Sequence, residues 1–220
     1  MSKTSIYWLT LPELQALKEY LEDGKKQGTL RRSKAPSACS FFFIDKKDGK
    51  LRPVVDYRPL NEITKKNAAP IPLIPDLVDK LLGAWFFMKL DIQWGYNNVQ
   101  IHPDDIEKTA FKTPLGLFES LVMTFGLCNV PATFQTFMDT QFADIIATGH
   151  VVIYLDDILI FAETMTELMW LTHQVLQRIH DPDLFLQPAK CSFNQTSVEY
   201  LGLIISKGEI RMDLVKLKAI

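Results

Sequence analysis

Cysteine is scarce: Cys39, Cys128 and Cys191 are the only ones in 220 residues, and they lie far apart. They form no CxxC pair and no Cys/His zinc spacing, which excludes a zinc ribbon and a disulfide framework. An odd, sparse count points instead to a reducing intracellular compartment with buried free thiols. No apolar run approaches the ~20 residues that span a bilayer, so no membrane association is expected. The N-terminus has no basic-then-apolar leader pattern. Internal repeats and low-complexity linkers are also missing. A net positive charge is missing too, with 24 Lys/Arg against 26 Asp/Glu and a formal charge of −2.

What is present is a globular composition, 47% hydrophobic with a mean hydropathy near zero. The length suits one sizeable domain or two small subdomains. The near-neutral average hides an asymmetry. Residues 1–66 hold 14 Lys/Arg against 8 Asp/Glu, whereas residues 67–220 hold 10 against 18. A basic N-terminal third beside an acidic remainder fits a phosphate-contacting lobe next to a metal-binding lobe. It fits an ordinary solvated surface almost as well.

Local signals give an α+β chain rather than a doubly wound sheet. Thr10 and Glu13 form a capping box for a helix with a Leu11, Leu14, Leu17, Leu21 stripe, and Gly24 is expected to stop it. Residues 40–45 and 51–56 read as a hairpin, and Pro53 puts the second strand on an edge. Its tip carries Lys46, Lys47, Lys50 and Arg52, which would grip phosphates or merely guard an edge strand. Residues 67–75 read as extended, with a short helix from Pro75 to Gly83. Residues 85–92 read as a buried strand with Asp91 near its end. Pro131 opens a helix expected to run to about Thr148, and Thr164 and Glu167 cap another to about Ile179. Residues 184–206 read as short strands.

Residues 151–161, Val-Val-Ile-Tyr-Leu-Asp-Asp-Ile-Leu-Ile-Phe, carry the chemistry. Two strand-like flanks enclose Asp156 and Asp157, and a tight turn would bring both acids to one edge. Carboxylates held together repel unless a cation lies between them, and all-oxygen donors suit Mg²⁺. On these residues alone an ordinary Asp-Asp turn remains open. If the strand ending at Asp91 pairs with this hairpin, three carboxylates could hold two Mg²⁺ ions about 4 Å apart and serve phosphoryl transfer.

Tyr154-Leu155-Asp156-Asp157 resembles the YxDD signature of reverse transcriptases. Leu51-Arg52-Pro53-Val54-Val55-Asp56-Tyr57-Arg58-Pro59-Leu60-Asn61 is similar to that family's "LRxVxDYRxLN" segment. Lys89-Leu90-Asp91-Ile92-Gln93-Trp94-Gly95-Tyr96-Asn97-Asn98-Val99 resembles "KLDLRxGYxxV", and Phe125 through Gln135 resembles "FGLxNxPATFQ". Lys190-Cys191-Ser192-Phe193 and Val198-Glu199-Tyr200-Leu201-Gly202 resemble the last two blocks. The wording is nearest to Gypsy-type long-terminal-repeat retrotransposons, and Trp94-Gly95-Tyr96-Asn97-Asn98 looks like their fungal branch.

The resemblance implies a right-hand polymerase fold. Fingers would take about residues 1–85 and 99–129, palm about 86–98 and 130–206, and the start of a thumb 207–220. It implies an RNA-directed DNA polymerase using two Mg²⁺ ions, with Mn²⁺ as an alternative. Asp91, Asp156 and Asp157 match the catalytic, metal-holding acids. Lys50 and Arg52 match triphosphate contacts. Tyr96 matches the residue that crowds a ribose 2′-hydroxyl, Phe125 and Gly126 match the nucleotide pocket, and Leu201-Gly202 match the primer support. Tyr96 as a core tyrosine, Phe125 as packing and Gly202 as a bulge glycine stay open readings. The implied partners are a primed RNA or DNA template and deoxynucleoside triphosphates. RNase H and integrase regions would belong to a longer polyprotein, inside the cell in a virus-like particle. Thr124, Gln93 and Leu168 depart from the usual Pro, Arg and His. Together with an end at Ile220, short of a full thumb, they raise the alternative of a relic that binds nucleic acid without catalysis.

Overall fold

The computed structural model describes residues 6–45, 49–72, 80–81, 83–180 and 184–212. Lys46, Lys47, most of the expected Pro75 helix and residues 213–220 lie outside that set. The chain divides into two compact units, each discontinuous: residues 1–67 with 96–130, and residues 68–95 with 131–220. Among the described residues, no helix is long and apolar enough to cross a membrane.

The first unit opens with helix α1 (Leu11–Lys26). Its capping box forms as the spacing predicts: Glu13 Oε2 accepts from the Thr10 amide and hydroxyl, both at 2.7 Å. The helix runs two residues past Gly24 instead of stopping there. Gly24 serves a close approach, because a Cβ on it would meet Leu30 Cδ1 at 2.5 Å. Leu17 and Leu21 bury against Phe41, Phe111 and Phe118.

Those aromatics belong to a five-stranded sheet. It comprises β1 (Leu30–Arg32), β2 (Cys39–Asp45), β3 (Leu51–Asp56), β5 (Phe111–Thr113) and β6 (Gly116–Ser120), in the order β1-β6-β5-β2-β3. Pro53 therefore sits on an edge strand, as its missing N–H requires. The short helix α2 (Arg58–Asn61) follows β3.

The second unit is built on strands β4 (Phe86–Asp91), β7 (Val151–Tyr154), β8 (Asp157–Ala162) and β9 (Ser192–Gln195), in the order β7-β8-β4-β9. Strand alternation gives this sheet two apolar faces. Phe87, Val152, Leu159 and Phe161 pack with Val198, Tyr200 and Ile205 on one face. The last three come from a meander of β10 (Ser197–Tyr200), β11 (Leu203–Ser206) and β12 (Glu209–Met212). On the other face Met88 Sδ accepts from the Thr172 hydroxyl at 3.2 Å. Thr172 lies on a long helix, Met165–His180, in a buried stripe with Leu168, Leu171, Val175 and Ile179. Leu168, one of the departures, is thus a core contact. The Thr164 hydroxyl caps this helix by accepting from the Glu167 amide at 3.3 Å.

The helix expected to run from Pro131 to Thr148 is in fact two, α3 (Val130–Gln141) and α4 (Ala143–Ile146), which makes Met165–His180 α5. The break falls at Phe142, whose φ of −113° leaves the helical range. Its ring is fully buried, so burial of that ring accompanies the departure from helical geometry.

Candidate functional site: a carboxylate hairpin and an aromatic–cation cluster

Strands β7 and β8 pair from Val151↔Ile160 to Tyr154↔Asp157, leaving Leu155 and Asp156 as a two-residue turn. Leu155 takes φ of 55°, as the tight hairpin turns that follow sheet twist require. A leucine there is strained by roughly 1–2 kcal/mol, so something must hold it. Gln135 of α3, fully buried, does. Its Oε1 accepts from the Leu155 amide at 2.8 Å, and its Nε2 donates to Ile153 O at 3.1 Å and Asp139 Oδ1 at 2.8 Å. Gln135 closes the Phe125–Gln135 motif, but the motif itself carries no sign of this clamp. The available signal was an amide among the buried Ala132, Phe134 and Met138 of that helix.

Strand β4 pairs antiparallel with β8 so that Asp91 stands directly opposite Asp157, on one face of the sheet. The Ile92 amide donates to Asp156 O at 2.8 Å, which ties the strand end to the turn. Gly95 is close-packed here, because a Cβ on it would meet Phe134 Cζ at 2.8 Å and Asp156 Cβ at 3.4 Å.

Charge at the site is only partly balanced. Lys89 Nζ lies 3.1 Å from Asp157 Oδ1, and Lys190 Nζ lies 3.4 Å from both oxygens of Asp91. Lys89 sits two residues from Asp91 and so shares its face, whereas no local signal links Lys190 to the acids. Asp157 Oδ1 is buried and accepts no hydrogen bond among the described residues, so the Lys89 ammonium is near it but not aimed at it. The Asp156 carboxyl is pushed above the usual carboxylate range, first by burial and then by the charges of Asp157 and Asp91.

Among the described residues, no three His, Cys, Asp or Glu side chains converge into a ready cage for a metal. The register nevertheless sets two acids face to face with a third at the adjoining turn. One buried oxygen is orphaned, and one carboxyl resists ionisation. That donor set suits a hard divalent cation such as Mg²⁺.

Lys50, Arg52, Tyr96, Phe125 and Gly126 lie in the first unit. Phe125 is 61% exposed, so it is not a packing residue. Tyr96 is half-buried rather than core, and its ring meets that of Phe125 edge-on at 5.0 Å. The Arg52 guanidinium stands over the Phe125 ring at 5.1 Å. Lys50 is exposed where the chain enters β3. Gly126 takes φ of 97°, which bends the loop back. Asn61 clamps that loop, donating to Gly126 O at 2.7 Å and accepting from the Cys128 amide at 2.9 Å. Asn61→Ala should cost about 1–2 kcal/mol, read as a lower urea midpoint, with faster amide exchange at Cys128. In the second unit, Leu201 and Gly202, at φ of 50° and 80°, form the two-residue turn joining Tyr200 to Leu203. Gly202 is therefore a turn glycine, not a bulge. The Tyr200 hydroxyl donates to Asp157 O at 3.3 Å and anchors this meander to the acid strand.

The family described as "Reverse transcriptase (RNA-dependent DNA polymerase)" matches residues 44–205. The Tf2-3 and Tf2-4 transposon polyproteins of Schizosaccharomyces pombe are each 40% identical over 201 residues, covering 91% of this chain. The chain spans only 15% of the length of these relatives. A foamy viral protease-reverse transcriptase in complex with an RNA/DNA hybrid superposes with a TM-score of 0.88 at 19% identity, over 98% of this chain and 29% of that one. The same type of enzyme in complex with double-stranded DNA gives 0.87 at 21% identity, over 99% of this chain and 46% of that one. At such identity the superpositions establish the α+β polymerase fold. The family match over most of the chain, with the likeness to Tf2 polyproteins, establishes that the chain belongs to the reverse transcriptases, in the Gypsy-type group.

Proposed function

We propose that the chain is the polymerase core of a retrotransposon polyprotein, adding deoxynucleotides to a primer on an RNA or DNA template. The observation that carries this reading is the pairing of Asp91 with Asp157, with Asp156 at the adjoining turn. Asp91, Asp156 and Asp157 are the residues that would hold two divalent cations, Mg²⁺ or Mn²⁺. Such ions, when bound, lower the pKa of the attacking hydroxyl and neutralise the triphosphate.

The protein's own residues bind and orient. Lys50 and Arg52 hold the triphosphate, Tyr96 lies against the sugar with Phe125 and Gly126 beside it, and the Leu201-Gly202 turn supports the primer end. The first unit serves as fingers and the second as palm with the start of a thumb. RNase H and integrase regions accompany the domain in a parent polyprotein, inside the cell.

The test is extension of a DNA primer on an RNA template by the chain with Mg²⁺ or Mn²⁺. Addition that Asp157→Asn abolishes supports the reading. A chain that binds primed template but adds nothing with either metal would instead be a nucleic-acid-binding relic. Replacing Lys50 and Arg52 with Ala should flatten the salt dependence of template or nucleotide binding by about one to two units of slope. An unchanged slope would mean that these cations only guard the edge strand. Tyr96→Ala should admit ribonucleotides, lowering discrimination on the order of a hundredfold while deoxynucleotide addition continues. Undiminished discrimination would remove Tyr96 from the sugar contact.

A further inference from the structure

The two lysines among the acids of the second unit are held in different ways. Lys89 projects from the middle of β4, between Leu159 of β8 and Ser192 of β9, and its side chain beside Asp157 is only 21% exposed. Lys190 ends the 3₁₀ turn Pro188–Lys190, and its side chain is 57% exposed. The backbone leading to that turn is tied to the acid strand. The Gln187 amide donates to Asp91 O at 2.9 Å, and Leu186 bridges Ile92. What can move is the four-carbon stem of Lys190. Its ammonium lies 3.4 Å from each oxygen of Asp91. A tight charge-assisted bond would be about 2.8 Å, so the pair neutralises without locking. The same charge reaches Asp156. Burial, Asp157 and Asp91 raise that carboxyl, and the Lys190 charge opposes them.

We propose that Lys190 is a resident stand-in for a divalent cation: it neutralises Asp91 until a metal ion arrives and swings out to water when one binds. The inference rests on the metal reading of the three acids given above. Its physical content is charge balance. Three carboxylates this close repel one another, and two ammoniums offset most of that repulsion in the metal-free chain. Two divalent ions over-compensate the same acids, so an ammonium left on Asp91 would repel them at close range. It would also cover both carboxylate oxygens that a metal needs as ligands. Lys190 has an exit into solvent, whereas Lys89 is enclosed in the strand and stays beside Asp157. Lysine suits the task because its ammonium is a compact point charge on a flexible stem. An arginine fork would grip both oxygens and resist release. The metal affinity observed is then the intrinsic affinity reduced by the cost of releasing Lys190. The site gives up some affinity and in return tolerates its own acids when no metal is bound.

The experiment uses the full chain and three readouts: melting without metal, Mg²⁺ binding by calorimetry, and the Lys190 side-chain ¹³Cε resonance. Lys190→Met keeps most of the stem without the charge. It should melt about 2–4 °C lower without metal, yet bind Mg²⁺ about tenfold more tightly. Lys190→Arg should bind Mg²⁺ more weakly than the wild-type chain. In the wild-type chain, saturating Mg²⁺ should move the Lys190 resonance to the position and mobility of a solvated lysine. A lysine with a merely structural role would lower the melting temperature in Lys190→Met with no gain in Mg²⁺ affinity. That result, or a Lys190 resonance that Mg²⁺ leaves in place, overturns the displacement while the metal site stands. A wild-type chain that ignores Mg²⁺ beside a Lys190→Met chain that binds it supports the stand-in. If neither chain takes up Mg²⁺, the metal reading of the acids falls, and the stand-in falls with it.

Discussion

Asp156→Asn should make the metal-free protein more stable at neutral pH while removing at least about half of its response to Mg²⁺. The reason lies in the raised Asp156 carboxyl, which the fold prefers to keep protonated. A folded chain that holds this proton after the unfolded chain has released it loses stability as pH rises. The loss begins near the ordinary carboxylate value of 3.8 and is complete above the raised folded value. Asparagine carries no such charge, so its stabilising effect should appear on raising the pH and vanish in acid below that ordinary value. Mg²⁺ acts in the opposite sense on the wild-type protein. At a hundredfold excess over its dissociation constant it should add about 2.7 kcal/mol, or roughly 5–10 °C in melting temperature. Removing one ligand charge should weaken metal affinity by at least about tenfold. Melting curves across pH, with and without millimolar Mg²⁺, measure both effects. If the wild-type midpoint ignores Mg²⁺, the acids do not form a metal site in the ligand-free protein. If asparagine destabilises the protein at neutral pH, burial of the charge is not the dominant cost at this position.

Gln135→Leu should be the most damaging single change outside the acids. It strands the buried acceptor at Ile153 O and removes the bond to the partly buried Leu155 amide, while the exposed Asp139 carboxylate turns to water, for about 3 kcal/mol. That corresponds to roughly 6–12 °C in melting temperature. The positive φ at Leu155 adds a specific consequence. Without the Gln135 acceptor the Leu155 side of the turn loses its hydrogen bond and only the Ile92 bond to Asp156 O still ties the turn, so stabilisation by Mg²⁺ should fall as well. Gly95→Ala tests the same turn from the other side. A methyl there presses on the Phe134 ring and approaches Asp156, so it should alter the Mg²⁺ response as well as stability. If Gln135→Leu melts lower yet retains the full Mg²⁺ increment, Gln135 supports the core and not the acid geometry.

Signals written over a few neighbouring residues are legible in the sequence alone: the Thr10–Glu13 box, the edge strand marked by Pro53, and the hairpin around Asp156 and Asp157. Each is decided within a turn or a pleat. What could not be read depends on residues far apart in the chain. Gly24 carries the local signal of a helix stop, whereas its role is set by Leu30 lying against it. The break at Phe142 interrupts a helix whose local pattern shows no breaker residue. Lys89 and Lys190 come beside Asp157 and Asp91 only through the pairing of β4 with β8 and the turn at Pro188–Lys190 that precedes β9. The Arg52–Phe125–Tyr96 row joins three segments whose spacing carries no period.

The order in which the ribosome delivers these strands has a consequence of its own. Strand β4 emerges with Asp91 at its end, but its partner β8 closes the ladder only at Phe86↔Ala162, after the whole second segment of the first unit has been made. Until then the apolar strand holding Phe87, Met88 and Leu90 has no partner along that edge. Such long-range closure slows folding and leaves a sticky intermediate for chaperones to shield. Stalling translation before residue 162 should therefore leave nascent chains that bind a holdase and resist refolding on release. Stalling well beyond the β8–β4 closure should free them from the holdase.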